Sequence, residues 1–392
     1  MRSGGSRQLD AHPFCDVPGK MNSSSTPDTT LSPGLHIIAP GICGPLAETQ
    51  SLQDSKTLDG WIKTLSKSQR GVSSSDVHDV ISHLFNLEYE GDFPSAALTL
   101  LAHDLYDPEM FYMHADPVHL QADMDQAILT PAEDLQIKSD DADVLCDVLD
   151  QHFSQDGLHF FRLSDKQWFV SGNREIRIST TALHNAIARN VNFLLPESTG
   201  SKSEGQAHTD QMNWKQIFTE SQMLLHSHEL NDRRENEGLQ SINSLWFHGT
   251  GSLPIRNRST VDSVCSDDKL FAGLVGYLNE HSDAPCVCQY RPLPEMAGDY
   301  IAEFLQTKHS AVNVLHLPQL EHLVNYSDTS IWENELKQLL DRWLYPLLTF
   351  CRKNNVRLTL YPCTGSSYQF SKYDTLRFWK RGSLDQYVSC YR

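Results

Sequence analysis

Short apolar runs that alternate with amphipathic helical segments constrain the fold of this 392-residue chain more than any other feature. The run Leu35–Ala39 is stopped by a Pro-Gly pair, as expected of a buried strand that ends in a loop. Helical periodicity follows over Val77–Phe85 and over Ala96–Leu105, and Met110–His114 predicts another strand. Because strands and helices alternate, we expect an α/β fold with a mostly parallel central sheet covered by helices.

The last third of the sequence repeats this alternation. It predicts three strands, at 244–248, 312–317 and 356–361, and one helix, at 269–278. The clearest helix starts at Ser330, because this hydroxyl and the Glu333 carboxylate can form a capping box. Pro346 has no backbone N–H, so it should kink or restart that helix.

A change of pattern between residues 127 and 228 predicts a small lobe inserted into the main domain. An Asp-rich helix at 141–153 precedes two short strands, 159–163 and 167–170, which form a predicted hairpin. Residues 198–210 are poor in apolar side chains and predict a mobile loop, and residues 1–34 predict a disordered N-terminal tail. The alternating strands and helices of residues 35–392 are expected to form one α/β domain.

Charge and cysteine usage exclude several classes of partner. The chain has 50 acidic and 32 basic residues, a net charge of −18, which opposes binding to phosphate backbones and anionic membranes. It has no run of 18 apolar residues, so no transmembrane helix is expected. Nine cysteines without regular spacing are typical of reduced thiols. We therefore predict a cytoplasmic protein that binds neither nucleic acid nor membrane.

A glycine-rich loop follows the predicted strand 244–248. Gly249 and Gly251 form a Gly-x-Gly loop, and such loops at the carboxyl end of a strand often let backbone N–H groups approach an anion. A tight structural turn is the alternative. Upstream, Arg234 has a planar fork that can hold two oxygens of an anion, and Asn231 precedes it by three residues.

These residues carry a family resemblance. Asn231-x-x-Arg234-x-x-x-Gly238, followed by the Leu-Trp-Phe-His-Gly-Thr-Gly-Ser-Leu-Pro segment 245–254, resembles the N…R…G…LW-x-W-G-x-G-x-x-P block of archaeal-type cofactor-independent phosphoglycerate mutases. The chain is even more similar to a bacterial mutase-like family of regulatory proteins of the RpfE type, which shares the segments 115–126, 343–348 and 377–381. The resemblance extends from about Leu35 to Arg381, and it implies an alkaline-phosphatase-like fold.

The metal-binding signatures of those mutases are missing. The family transfers a phosphoryl group through a serine between two divalent cations. Its first strand ends in Asp-Gly, whereas here Pro40 occupies the Asp position, and its C-terminal Asp-His metal box is replaced by Tyr361–Gly365, without Asp or His. The resemblance therefore implies a non-catalytic regulatory or ligand-binding protein, with no metal and no cofactor.

One cluster of ionisable residues follows the strand predicted at 110–114. Asp116, His119, Asp123 and Asp125 could bind a hard cation or act as an acid–base pair, although aspartates are also common in turns. The spacing between His114 and His119 argues against a zinc pair, since five residues do not place both rings on one helix face.

Two alternatives to the non-catalytic interpretation stay open at this point. One is a divergent metal-dependent mutase or phosphoesterase that uses rearranged ligands, and the other is an interaction subunit whose acidic surface meets a protein partner. The predicted partner of the non-catalytic form is a small anionic or phosphorylated metabolite. Its predicted ligand-binding residues are Asn231, Arg234, Gly249, Gly251, Asp116 and His119.

Overall fold

The structure is a computed structural model that describes residues 31–44, 55–123, 126–173, 176, 178–187, 189–198, 213–254, 256–257, 259–281, 287–305, 311–325, 329–377, 379–380 and 382. The predicted tail, apart from its last four residues, and the predicted mobile loop, apart from its first residue, lie outside these ranges. Ser32–Arg392 forms one compact unit. No helix in the described ranges is long and apolar enough to cross a membrane.

Sixteen strands occur in the described residues. In chain order they are β1 Gly34–Ile38, β2 Gln69–Val72, β3 Leu87–Glu88, β4 Phe111–Asp123, β5 Gln126–Thr130, β6 Leu158–Arg162, β7 Trp168–Gly172, β8 Ile178–Ser179, β9 Glu197–Ser198, β10 Ser244–His248, β11 Arg256–Asn257, β12 Ser263–Cys265, β13 Gln289–Arg291, β14 Val312–His316, β15 Leu358–Tyr361 and β16 Ser366–Phe370.

Eleven α-helices occur in the same part of the chain. They are α1 Lys56–Lys67, α2 Val77–Phe85, α3 Ser95–Leu101, α4 Ser139–Phe153, α5 Leu183–Ala186, α6 Trp214–His226, α7 Glu229–Asn236, α8 Lys269–Glu280, α9 Ala297–Phe304, α10 Thr329–Leu339 and α11 Tyr345–Asn354. A π-helical turn, Leu340–Leu344, separates the last two, so the restart predicted from Pro346 is confirmed.

The central sheet has seven strands in the order β13-β12-β14-β1-β15-β16-β2. β1 lies in the middle and runs parallel to both neighbours, with Ile37 opposite Leu315 and Leu360. Only β16 runs against the others, since it is antiparallel to β15 and to β2. The predicted α/β class with a mostly parallel central sheet is confirmed. The carboxyl ends of β1, β14 and β15 meet at one edge of the sheet, where α/β proteins commonly bind ligands.

Two buried tryptophans fix the loop that follows β1. The indole N–H of Trp61, on α1, donates to the carbonyl of Ile42 at 3.0 Å, and that of Trp332, on α10, donates to the carbonyl of Gly41 at 2.9 Å. Both side chains are fully buried in the apolar cluster under the central sheet. The loop at the carboxyl end of the central strand is therefore held rigidly.

A second sheet is antiparallel, with strands in the order β10-β4-β7-β6 and with β5 paired to β4. β6 and β7 form the predicted hairpin. Helices α4 and α6 cover this sheet through a separate apolar cluster. The sheet begins at Phe111 and ends at His248, so it extends beyond the predicted lobe of 127–228 on both sides.

Candidate functional site

The start of α2 lies at the carboxyl end of β15. The backbone N–H of Ser73 donates to the carbonyl of Gly365 at 3.2 Å, and the N–H of Gly365 donates to the carbonyl of Ser74 at 3.3 Å. Gly365 lies in the turn between β15 and β16, so these bonds attach the segment before α2 to the edge of the central sheet. The residues at the helix start therefore face the place where a ligand is expected.

Three side chains form a first cluster there, which we call the first triad: Asp76, His78 and His184. One ligand atom from each residue lies within 4.8 Å of the others. Nε2 of His184, on α5, is 3.3 Å from Oδ2 of Asp76, and the two imidazole rings meet edge to face with centroids 4.9 Å apart. All three residues are partly exposed.

Asp76 has two separate roles in this geometry. Its Oδ1 caps α2 by accepting hydrogen bonds from the backbone N–H of His78 at 2.7 Å and of Asp79 at 3.2 Å. Its Oδ2 accepts a hydrogen bond from the amide of Asn185 and faces His184. The helix cap thus fixes the carboxylate while its second oxygen stays directed at the histidines.

The three members of the first triad have shifted pKa values. Burial acts to raise the pKa of the Asp76 carboxyl, but the hydrogen bond and charge of His184, together with His78 and Asn185, outweigh it and lower the pKa. Burial lowers the pKa of His78 to about 3, with His184 adding to the effect. Burial also acts to lower the pKa of His184, but its bond to Asp76 and the charge of Glu321 raise it. Asp76 is therefore a carboxylate, and His78 is a neutral imidazole.

A second cluster, the second triad, lies between β4 and β10. His114 and Asp116 are two residues apart on β4 and share one face of the sheet, and His248 pairs with His114 across the strands. Nε2 of His248 is 2.9 Å from Oδ2 of Asp116, and Nδ1 of His114 is 4.0 Å from Oδ1. The two rings stack with centroids 4.5 Å apart. All three side chains are buried.

Burial dominates the electrostatics of the second triad. It lowers the pKa of His114 to about 3, assisted by the charge of His248, and it lowers the pKa of His248 to about 3. It raises the pKa of Asp116 to about 6, against the opposing influence of His114 and of the Trp168 backbone N–H, which donates to Oδ1 at 3.2 Å. Both histidines are therefore neutral at pH 7.

The two triads are neighbours. A positive charge on His248 or His114 would disfavour a proton on His78, and a positive charge on His184 would disfavour one on His248. The ring of His78 also stacks on Phe93, with centroids 4.4 Å apart, just before α3. We use the name crevice for the two triads together with the two groups described next.

Glu321 and Cys363 complete the crevice from the central sheet. Burial, then the charge of Glu321 and that of Asp76, raises the pKa of the Cys363 thiol well above its usual value. Burial also raises the pKa of Glu321, against the charge of His184. Cys363 follows β15, the strand end that lacks Asp and His, and the charge of Asp76 is among the causes that raise the pKa of its thiol after burial. The side chains of the first triad come from α5 and from the start of α2, whereas those of the second triad come from β4 and β10.

Each triad offers the ligand set of a transition-metal site. Two imidazole nitrogens and one carboxylate suit zinc, manganese or iron, and they leave coordination positions for water or substrate. Metal ligation requires neutral imidazole and ionised carboxylate. His78, His114 and His248 are already neutral, whereas the pKa of His184 is raised, against the effect of burial, by its bond to Asp76. The residues present therefore fit divalent ions.

Asn231 and Arg234, predicted as ligand-binding residues, contact protein atoms of the apolar cluster beside the second, antiparallel sheet. The Asn231 amide donates to the carbonyls of Leu225 and Ile242 at 2.7 and 2.8 Å. Arg234 is 1% exposed, and it donates to the carbonyl of Gln240 at 3.0 Å and to that of Leu135. The structure does not bring either side chain to the triads.

His119, also a predicted site residue, lies on β4 three residues after Asp116, and therefore on the opposite face. Its Nδ1 is 2.8 Å from the carbonyl of Ser241. Of its companions in the predicted cluster, the side chain of Asp123 and the whole of Asp125 lie outside the described residues. Asp116 is thus the member that the structure brings together with other titratable groups.

The Gly-x-Gly loop lies against the second triad. Gly249 has a positive φ of 74°, and a Cβ there would be 2.1 Å from Oγ of Ser95 and 3.1 Å from Cδ2 of His114. The carbonyl of Gly249 accepts a hydrogen bond from Ala96 at 3.2 Å. At Gly251 a Cβ would be 1.5 Å from the carbonyl oxygen of Asp92. Both glycines therefore allow close backbone approach beside the crevice.

Sequence reasoning missed five crevice residues: Asp76, His78, His184, His248 and Glu321. A signal for two of them exists, because an Asp-x-His pattern at a helix start places both groups at one helix end. A similar signal, His-x-Asp at 114 and 116 within a strand, indicates one shared face. Nothing local connects either pair with His184 or His248.

Comparisons with known proteins give a partial relationship. No protein-family model matches this chain. A 2,3-bisphosphoglycerate-independent phosphoglycerate mutase of Methanosarcina mazei is 27% identical over 120 residues, which are 30% of this chain and 28% of that enzyme. The chain therefore matches well under a third of that relative's length.

Two solved structures are similar across most of the chain. One is a cofactor-independent phosphoglycerate mutase from Thermoplasma acidophilum, with 12% identity, a TM-score of 0.35, and coverage of 86% of this chain and 90% of that one. The other is the PH0037 protein from Pyrococcus horikoshii, with 14% identity, a TM-score of 0.46, and coverage of 91% and 93%.

Proposed function

We propose that this chain is a metal-dependent enzyme of the phosphoglycerate-mutase-like type, with an alkaline-phosphatase-like fold, that acts on the phosphoryl group of a small phosphorylated metabolite. The observation that carries the proposal is the first triad: Asp76, His78 and His184 converge within 4.8 Å at the carboxyl edge of the central sheet and stay partly exposed. The name of the mutase relative supplies the substrate class.

The triad residues have separate tasks in this proposal. A divalent ion held by Asp76, His78 and His184 would polarise a phosphoryl oxygen and lower the pKa of a bound water. The α2 cap keeps the Asp76 carboxylate in place, and Asn185 fixes its second oxygen. Burial raises the pKa of the Glu321 carboxyl, against the charge of His184, which makes Glu321 the general-acid candidate in this proposal.

A second candidate function is the non-catalytic one, in which the protein is a regulatory protein of the RpfE type that binds a phosphorylated metabolite without turnover. The observation that favours it is the replacement of strand-end ligands: Pro40 follows β1, and Cys363 follows β15. In that case a phosphorylated metabolite should raise the melting temperature of the protein. The concentration of the metabolite should stay constant, because it is bound but not converted.

The deciding experiment compares two aspartates one turn apart. Asp76→Asn keeps an oxygen for the helix cap but removes the charge that faces His184. Asp79 is the control, because it is exposed and, within the described part of the chain, its side chain accepts a hydrogen bond from Ser74. Turnover of phosphoglycerates and of p-nitrophenyl phosphate is measured with manganese, zinc or magnesium supplied. We expect Asp76→Asn to lose at least about 100-fold in kcat/KM, and Asp79→Asn to keep wild-type activity.

Two results would overturn the proposal of an enzyme. One is wild-type protein that is folded and metal-loaded but turns over no phosphate ester. The other is metal-dependent activity that Asp76→Asn leaves intact. A ligand-induced rise in melting temperature without turnover would support the non-catalytic candidate in its place.

A further inference from the structure

The second triad stands apart from the proposed reaction site in one respect: it is closed to solvent. His114, Asp116 and His248 are 5%, 7% and 7% exposed. An ionisable cluster removed from water is costly unless its groups are paired or coordinate a metal.

Their own hydrogen bonds do not satisfy them. Asp116 is bonded to His248 and to the Trp168 backbone N–H. Within the described part of the chain, however, Nδ1 of His114 and Nδ1 of His248 have no hydrogen-bond partner. Buried polar atoms are nearly always paired, so an unpaired nitrogen directed at a carboxylate 4.0 Å away indicates a missing partner.

Neighbouring hydroxyls add to this. Ser95 is 3% exposed, and its Oγ is also without a partner among the described residues, as is Oγ1 of Thr250. Ser95 and the His114 ring both border the point where a Cβ of Gly249 would lie. Ser95 thus places an unpaired hydroxyl close to the His114 ring of the triad.

The spacing of the triad fits a small transition-metal ion. Two ligand atoms that are each about 2.1 Å from a tetrahedral ion lie roughly 3.4 Å from each other. The two contacts of the Asp116 oxygens, 2.9 Å to His248 and 4.0 Å to His114, lie on either side of that value. For both in-plane imidazole lone pairs to point at one ion, one of the two stacked rings would have to rotate, and the 4.0 Å contact would have to shorten.

We propose that His114, Asp116 and His248 bind a zinc-type divalent ion as a buried site separate from the first triad. Two imidazole nitrogens and a carboxylate favour a borderline ion such as zinc over calcium or magnesium, which prefer oxygen ligands throughout. The ion links β4 to β10, beside the loop of Gly249 and the start of α3. The proposal does not depend on phosphoryl chemistry at the first triad.

The test measures zinc bound to the full-length, untagged protein after chelator treatment, exposure to zinc in slight excess and desalting. The background is Asp76→Asn, which disables the first triad. We expect one equivalent of zinc in this background and less than about a tenth of an equivalent when His114→Gln or Asp116→Asn is added. The matched control is His119→Gln, because His119 lies on the same strand but faces the other way.

Circular dichroism identifies variants that do not fold. If the substitutions at 114 and 116 both prevent folding, His248→Gln is measured in their place, and zinc is titrated into the stripped Asp76→Asn protein, whose melting temperature should rise until one equivalent is bound. Zinc retained by folded Asp116→Asn protein would overturn the proposal. So would Asp76→Asn protein that takes up no zinc and shows no thermal response to it.

Discussion

Arg233 and Arg234 are adjacent cations that contact the same carboxylate, that of Asp141. We expect their replacement by Ala to lower the free energy of unfolding by very different amounts. Arg233 is largely exposed, with Nη2 at 2.7 Å from Oδ1 of Asp141. Arg234 is buried, with Nη1 at 3.6 Å from Oδ2, and it also bonds to the carbonyls of Gln240 and Leu135. Asp141 itself is buried.

Arg234→Ala should lower the free energy of unfolding by roughly 3–5 kcal/mol, because it breaks a buried ion pair and leaves two carbonyls without their charged donor. Arg233→Ala should cost less than about 1 kcal/mol, since exposed ion pairs contribute little. Urea unfolding followed by tryptophan fluorescence measures both. Equal effects of the two substitutions, or an Arg234→Ala loss below about 1 kcal/mol, would refute this reasoning, and Arg234 would then be available for an anion.

Two further predictions concern backbone shape and pH. Gly251→Ala should lower the melting temperature severely, because its Cβ would lie 1.5 Å from the carbonyl oxygen of Asp92. Gly238→Ala, at a φ of 77° with open space around it, should lower the free energy of unfolding by only about 1 kcal/mol and the melting temperature correspondingly little. Equal losses in the two variants would contradict this. Burial lowers the pKa of His316 to about 4, below its unfolded value of about 6.5, so its contribution to stability is present above pH 6.5 and is lost as the pH falls towards 4. Urea midpoints between these pH values should depend less on pH in His316→Gln than in the wild type, and an unchanged slope would count against the assignment.

Much of the fold could be predicted from the sequence because strands and helices carry local signals. The run at 244–248 is bounded by polar residues and glycine, and β10 has these same limits. Pro346 predicted the restart of the last long helix for a purely local reason, its missing N–H. The length of β4 was underestimated, since its polar second half has no apolar run to indicate a strand.

The candidate site could not be predicted in the same way, because topology brings its members together. His184 meets Asp76 across 108 positions of sequence, and His248 meets Asp116 across 132. The burial of Arg234 is equally invisible locally, since α7 is polar along its whole length and resembles a solvent-exposed helix. The spacing between His114 and His119 argued against a zinc pair, but it could not show that His248 is the histidine next to His114.

Metal binding to the first triad is the central claim, and calorimetric titration of manganese or zinc into chelator-stripped, full-length protein tests it most directly. Wild-type protein should bind one equivalent more than Asp76→Asn, and Asp79→Asn should match the wild type, because only Asp76 faces His184. Binding isotherms with the same stoichiometry in wild type and Asp76→Asn, or no binding heat at any concentration, would contradict the account.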